Sequence, residues 1–117
     1  MSGYSLITHK GKEILYADYQ GMTKEEIIKT MDEATEFALK EGRPLLRLSN
    51  MTGIFAVPEI VNKAKESGKR TNHLTIKRAA VGITGAKKIL LNAYNRVSGN
   101  NTRAFDDVED AKNWLVT

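Results

Sequence analysis

The chain has 117 residues, 41% hydrophobic and 27% charged, proportions that fit one globular domain with a core of its own and exclude a disordered segment. It has no cysteine, which excludes disulfides and thiol chemistry, and no apolar run near the roughly 18 residues that a membrane span needs. The net charge of +4 lies within the range that ordinary solubility explains, so it does not by itself call for an anionic partner.

Met1 to Thr8 carries no basic region followed by an apolar stretch, so no secretory signal is expected and the expected location is cytoplasmic. Tyr4 to Thr8 and Glu13 to Tyr19 are β-rich and flank Lys10-Gly11-Lys12, which predicts a hairpin. In the second segment Leu15, Ala17 and Tyr19 share one face, and Ile14, Tyr16 and Asp18 the other. Thr23-Lys24-Glu25-Glu26 is a capping box, opening a helix with the apolar stripe Ile27, Met31, Ala34 and Ala38, widened by Ile28, Phe37 and Leu39 and stopped by Gly42.

Pro44 to Ser49 predicts a strand buried on both faces. Pro58 and Glu59 start a second helix, with a narrow stripe of Ile60, Val61 and Ala64 ahead of the polar stretch from Ser67 to Asn72. Arg78 to Thr84 predicts a further buried strand, in which Gly82 lets a packed helix come close. Ala86, Ile89, Ala93 and Val97 mark a third helix, and Thr102 to Phe105 a short strand. Asp106-Asp107-Val108-Glu109 reads as a second capping box, with Val108, Ala111 and Leu115 on one face of the last helix and Trp114 beside them. The order predicts a single α/β domain over residues 1–117. Its mixed sheet would have about five strands, an antiparallel hairpin first and parallel strands after, flanked by about four helices.

Little in the chain supports catalysis, and no enzyme is expected. A nucleophilic triad needs a base beside its nucleophile, whereas the two histidines, His9 at a hairpin and His73 in a polar loop, read as solvated. No group of ligands has zinc spacing, and Asp106, Asp107 and Glu109 read as helix-start residues; neither a metal nor a cofactor is expected. Gly82-Ile83-Thr84-Gly85-Ala86-Lys87 follows a strand and opens a helix, but it is too short between its glycines for a phosphate loop, and Lys88 stands where such a loop has Ser or Thr. What it offers is a candidate anion site at Thr84, Gly85 and Lys87, against the plainer reading of a strand-to-helix turn.

Lys63, Lys65, Lys69, Arg70, Lys77 and Arg78 make the second helix and its exit basic. Without interleaved aromatic residues for stacking, they read as a solvated face, and no nucleic-acid partner is expected. Met51, Ile54, Phe55 and Val57 gather in a loop, to be folded back as local core or used as a contact patch.

The element order, the strand-turn Leu48-Ser49-Asn50-Met51-Thr52-Gly53, the strand Lys77 to Gly82 and the ending from Arg103 to Leu115 together resemble a STAS-type domain. The branch is that of small stand-alone proteins similar to the sporulation anti-sigma factor antagonist (SpoIIAA-like). The resemblance spans nearly the whole chain, and its most specific piece is the terminal Phe105-Asp106 followed by Ala111-Lys112-Asn113-Trp114-Leu115. It implies a non-catalytic regulatory or protein-interaction module. In regulatory members of that family a Ser or Thr in an Asp-x-Ser/Thr-Gly turn is phosphorylated by an anti-sigma kinase, which blocks partner binding. The matching positions are Asn50, Thr52 and Gly53, with Asn50 in place of the acid, so Thr52 would carry the phosphate.

Because ligands of parallel α/β sheets meet the carboxyl ends of the strands, the loops after Ser49 and Thr84 are expected to converge. The expected rim for a partner or ligand is Asn50, Met51, Gly53, Ile54 and Phe55. The alternative, from a different class, is a small-molecule or lipid-binding protein with a pocket beneath the Met51 to Val57 loop. The expected partner is accordingly a protein or a small apolar ligand, with a homodimer left open.

Overall fold

Antiparallel pairing of β1 (Tyr4–His9) with β2 (Lys12–Asp18) sets His9 opposite Lys12, so Lys10 and Gly11 alone make the turn. The computed structural model describes residues 3–55, 57–83, 88–89, 91–92, 95–96 and 101–117. The expected capping box starts α1 (Lys24–Glu41): the Glu26 amide donates to Thr23 Oγ1 at 3.2 Å, and the Thr23 amide donates to Glu26 Oε1 at 2.8 Å. Gly42 closes the helix, its amide donating to the Ala38 carbonyl.

β3 (Leu45–Asn50), β4 (Thr75–Val81) and β5 (Thr102–Phe105) add in parallel, giving one sheet in the order β1-β2-β3-β4-β5. Between β3 and β4 runs α2 (Pro58–Thr71), followed by a 3-10 turn over Asn72–Leu74. The polar stretch from Ser67 therefore continues the helix, and β4 begins at Thr75, ahead of the expected Arg78. The last helix, α3 (Val108–Leu115), is capped by Asp107, which accepts from the Asp110 amide at 2.8 Å, one residue later than the expected box. The described residues thus delineate three helices where about four were expected. Of the expected third one, Ala86, Ala93 and Val97 lie outside the described residues, while Lys88, Ile89, Leu91, Asn92, Asn95 and Arg96 are helical.

A sheet whose spatial order follows chain order sends its parallel crossovers all the same way. The strong preference for right-handed crossovers then gathers the connecting helices on one face. Consistent with this, Ile27 and Met31 of α1 and Ile60 of α2 pack with Ala17 and Tyr19, and Ala38 packs with Leu15 and Leu45. Side chains alternate across each strand, so the opposite face carries Ile14, Leu46, Leu48, Ala79 and Val81, and these pack with Ala111 and Leu115 of α3. Trp114 is half-buried there, its ring centroid 5.5 Å from that of Phe105 and 4.8 Å from the Lys77 ammonium. No helix among the described residues is long and apolar enough to cross a membrane.

Candidate functional site

The turn after β3 is organised by one buried amide. Asn50 is 5% exposed, and its Oδ1 accepts from both the Thr52 amide at 3.1 Å and the Thr52 hydroxyl at 2.7 Å. Its Nδ2 donates to Tyr16 Oη and Gln20 Oε1, each at 3.4 Å. The Ile54 amide donates to the Met51 carbonyl at 3.0 Å and closes the turn. Gly53, at φ 77°, supplies the backbone conformation that a side chain disfavours.

The apolar residues of this loop divide between the two roles open to them. Ile54 is buried, and Met51 and Val57 pack partly buried against the same cluster as Ile27 and Ile60. Phe55, in contrast, is 81% exposed, and Thr52 and Gly53 are exposed beside it. The rim therefore has an inner half that belongs to the core and an outer half that faces solvent.

The end of β4 reaches this turn. The Met51 amide donates to the Val81 carbonyl at 2.8 Å. A Cβ placed on Gly82, itself at φ 84°, would lie 2.6 Å from the Thr52 Cα, amide nitrogen and Oγ1. Gly82 thus makes room for the Thr52 turn. Thr84, Gly85 and Lys87, the candidate anion site, lie outside the described residues.

Strand register opens a cavity behind the same loop. Ser49 pairs with Ala17 on one side and Ala80 on the other, and Ala80 pairs with Ala104. Partners in register share a face, so a row of small side chains crosses four strands beneath the helix pair. Above Ser49 and Ala80 lies a partly open cavity of about 170 Å³. Met51 and Ile54 of the loop and Ile60, Val61 and Ala64 of α2 form its apolar walls, with Tyr19, Ile83 and Leu91 also lining it.

One row further toward the start of the strands, the lining changes character. Arg47 pairs with Arg78, and Arg78 with Thr102, on the cavity face. Arg78 Nη2 donates to Thr71 Oγ1 at 2.8 Å and to Thr75 Oγ1 at 3.2 Å, and Arg47 Nη1 reaches the same Thr71 oxygen at 3.5 Å. Burial pushes the Tyr19 phenol up to about 12, against the pull of the Arg47 charge, so Tyr19 is a neutral hydrogen-bond donor at ordinary pH.

The remaining sequence candidates are dispersed. His9 Nε2 and Asn113 Oδ1 share a hydrogen bond of 2.9 Å, and His73 is exposed in the 3-10 turn. Among the described residues no three His, Cys, Asp or Glu side chains are grouped to hold a metal ion. The basic run does not form one surface: Lys63 pairs with Asp32, Arg70 with Glu36, Lys77 bonds the Trp114 carbonyl, and Arg78 faces the cavity. Arg47 and Tyr19 were missed as site residues. Only strand alternation, extended from Ser49 back to Arg47 and matched to Arg78, could have pointed to the arginine pair. Compared with protein-family models, curated proteins and solved structures, the chain matches none.

Proposed function

We propose that this chain is a non-catalytic binding module that takes a small molecule in the cavity beneath the Met51 to Val57 loop. The observation that carries the reading is the cavity of about 170 Å³ itself, walled by that loop, by α2 and by the small side chains of the sheet. Natural interiors are packed to crystal-like density with few voids larger than a water molecule. A partly open apolar space of this size therefore calls for an occupant. The test is benzene binding followed by NMR. Shifts should concentrate at Ile54, Ile60 and Ala80, and Ala64→Phe, whose ring fills the space, should abolish them while leaving the fold intact. Shifts scattered over the surface, or undiminished binding by folded Ala64→Phe, would refute the reading.

A second reading is favoured by the exposure of Phe55 beside Thr52. It is the regulatory module that the STAS resemblance implies, with Thr52 as its switch and Phe55 on its docking rim. A phosphate on Thr52 Oγ1 would replace the proton now donated to Asn50 Oδ1 and set close to two negative charges against that carbonyl oxygen. The turn would open, and the charge beside Phe55 would resist desolvation. Thr52→Glu should keep the fold and lose the protein partner recovered with the unmodified chain, whereas Thr52→Ala should retain it. Equal binding by both variants refutes the switch.

A further inference from the structure

Alternation along β2 sets Tyr19 on the same sheet face as Ala17, whose partner in register is Ser49. Tyr19 and Ser49 both line the cavity. Tyr19 is 4% exposed, and among the described residues its phenol oxygen makes no hydrogen bond. By contrast, the buried side chains of Thr30, Thr35, Asn50 and Thr71 are each bonded within the protein. No completely enclosed side-chain nitrogen or oxygen among the described residues lacks a partner. The unbonded Tyr19 oxygen is therefore not sealed in protein; it reaches open space, and the space that Tyr19 lines is the cavity. The Ser49 hydroxyl, half-buried in the same wall, also has no hydrogen bond among the described residues.

A hydroxyl held this deep without a partner costs free energy that an acceptor in the cavity would recover. Burial pushes the phenol up to about 12, so at ordinary pH it still has a proton to donate. Water alone is a poor occupant, because it would leave Ile54, Ile60, Val61 and Ala64 facing it without apolar contact. Size limits the apolar body that satisfies them. The cavity of about 170 Å³ is close to the roughly 150 Å³ space that holds a single benzene ring. It falls below the range of about 300–1,000 Å³ typical of sites for larger ligands. A long acyl chain does not fit such a space.

We infer that the cavity takes a ring-sized apolar molecule carrying one oxygen, which accepts a hydrogen bond from the Tyr19 phenol. The inference rests on the small-molecule reading above and adds the ligand class to it. The full-length chain would be titrated with phenol and with toluene, which differ by a hydroxyl against a methyl group, and followed by NMR. Both should shift Ile54, Ile60 and Ala80. Phenol should bind at least as tightly as toluene, although its hydroxyl makes it the costlier of the two to take out of water. Tyr19→Phe keeps the ring and breaks no hydrogen bond within the protein, so the fold should persist. That variant should bind phenol about tenfold more weakly and change toluene binding less than about twofold, the mark of one lost hydrogen bond. Tighter binding of toluene than of phenol by the unmodified chain overturns the oxygen assignment and leaves the cavity an apolar ligand site. Equal effects of Tyr19→Phe on the two probes overturn the role of the Tyr19 hydroxyl. Failure of both probes to bind overturns the small-molecule reading too. The comparison of phenol with toluene on the unmodified chain decides the matter even if the variant fails to fold.

Discussion

The Tyr19 ring lies at the end of β2 with 4% of its surface exposed, and burial moves its phenol from 10.0 up to about 12. An unfolded chain would lose this proton near pH 10, whereas the folded chain keeps it until about pH 12. The unfolded state therefore binds fewer protons in that window, and stability falls as pH rises through it. The stabilisation is fully present below pH 10 and amounts to about 2–3 kcal/mol lost by pH 12, at roughly 1.4 kcal/mol for each pH unit. Tyr19→Phe should remove this part of the alkaline decline, read as the difference between the two chains' denaturant midpoints from pH 9 to 12. Parallel pH profiles for the two would show that Tyr19 is not the group responsible. Asn50 shows a related economy: its one carbonyl oxygen fixes Thr52 by two bonds, while its amide nitrogen reaches Tyr16 and Gln20. An aspartate there could still hold Thr52, but it would lose both donations, because a carboxylate only accepts.

Between α1 and α2 three ion pairs run in step: Lys24 with Glu59, Asp32 with Lys63, and Glu36 with Arg70. They ascend both helices together, which aligns the two side by side over the sheet. Exposed pairs of this kind are worth little individually, so the apolar stripe of Ile27, Met31 and Ile60 supplies most of the hold. At the other face α3 has only eight residues, and its two buried positions, Ala111 and Leu115, carry most of its attachment. Leu115→Ala should cost about 3 kcal/mol in denaturant melts, as buried leucine truncations do. Trp114→Ala should cost less, about 2 kcal/mol, because the half-buried ring already meets solvent. A larger loss for Trp114 than for Leu115 would show that the ring, tilted against Phe105 and faced by Lys77 and Arg103, is the true anchor.

The sequential strand order has a consequence for the whole molecule. One face of the sheet is covered by two long helices, and the other owes much of its cover to a single short one. Ending the chain after Phe105 would uncover Ile14, Leu46, Leu48 and Val81, all 5% exposed or less in the intact fold. Such a truncated chain should lose cooperative thermal unfolding and bind a hydrophobic dye, the behaviour of a collapsed state without fixed packing. A sharp melt within a few degrees of the intact chain would mean that the face is sealed without α3. The cavity belongs to the better-covered face, so ligand binding should not survive a loss of packing between α2 and the sheet.

Local chemistry made much of this architecture legible in advance. The Thr23 box, Pro58 at a helix start, the Lys10-Gly11 turn and the strand at Thr102 to Phe105 depend on neighbours within a few residues, and each stands where expected. The split of Leu46 and Leu48 from Arg47 and Ser49 follows from strand alternation alone. β4 starts earlier than expected at the β-branched Thr75 and Ile76, which favour a strand, and pairing with β3 from Leu45 and Thr75 onward fixes that start. The site was legible only as a loop: Asn50 to Phe55 could be singled out, but not which of them turn inward. Register decided that, since it sets Arg47 against Arg78, aligns Ala17, Ser49, Ala80 and Ala104, and brings Gly82 onto Thr52. These partners are separated by some thirty positions of chain, as from Arg47 to Arg78. No local rule links residues so far apart; the stacking of parallel strands does.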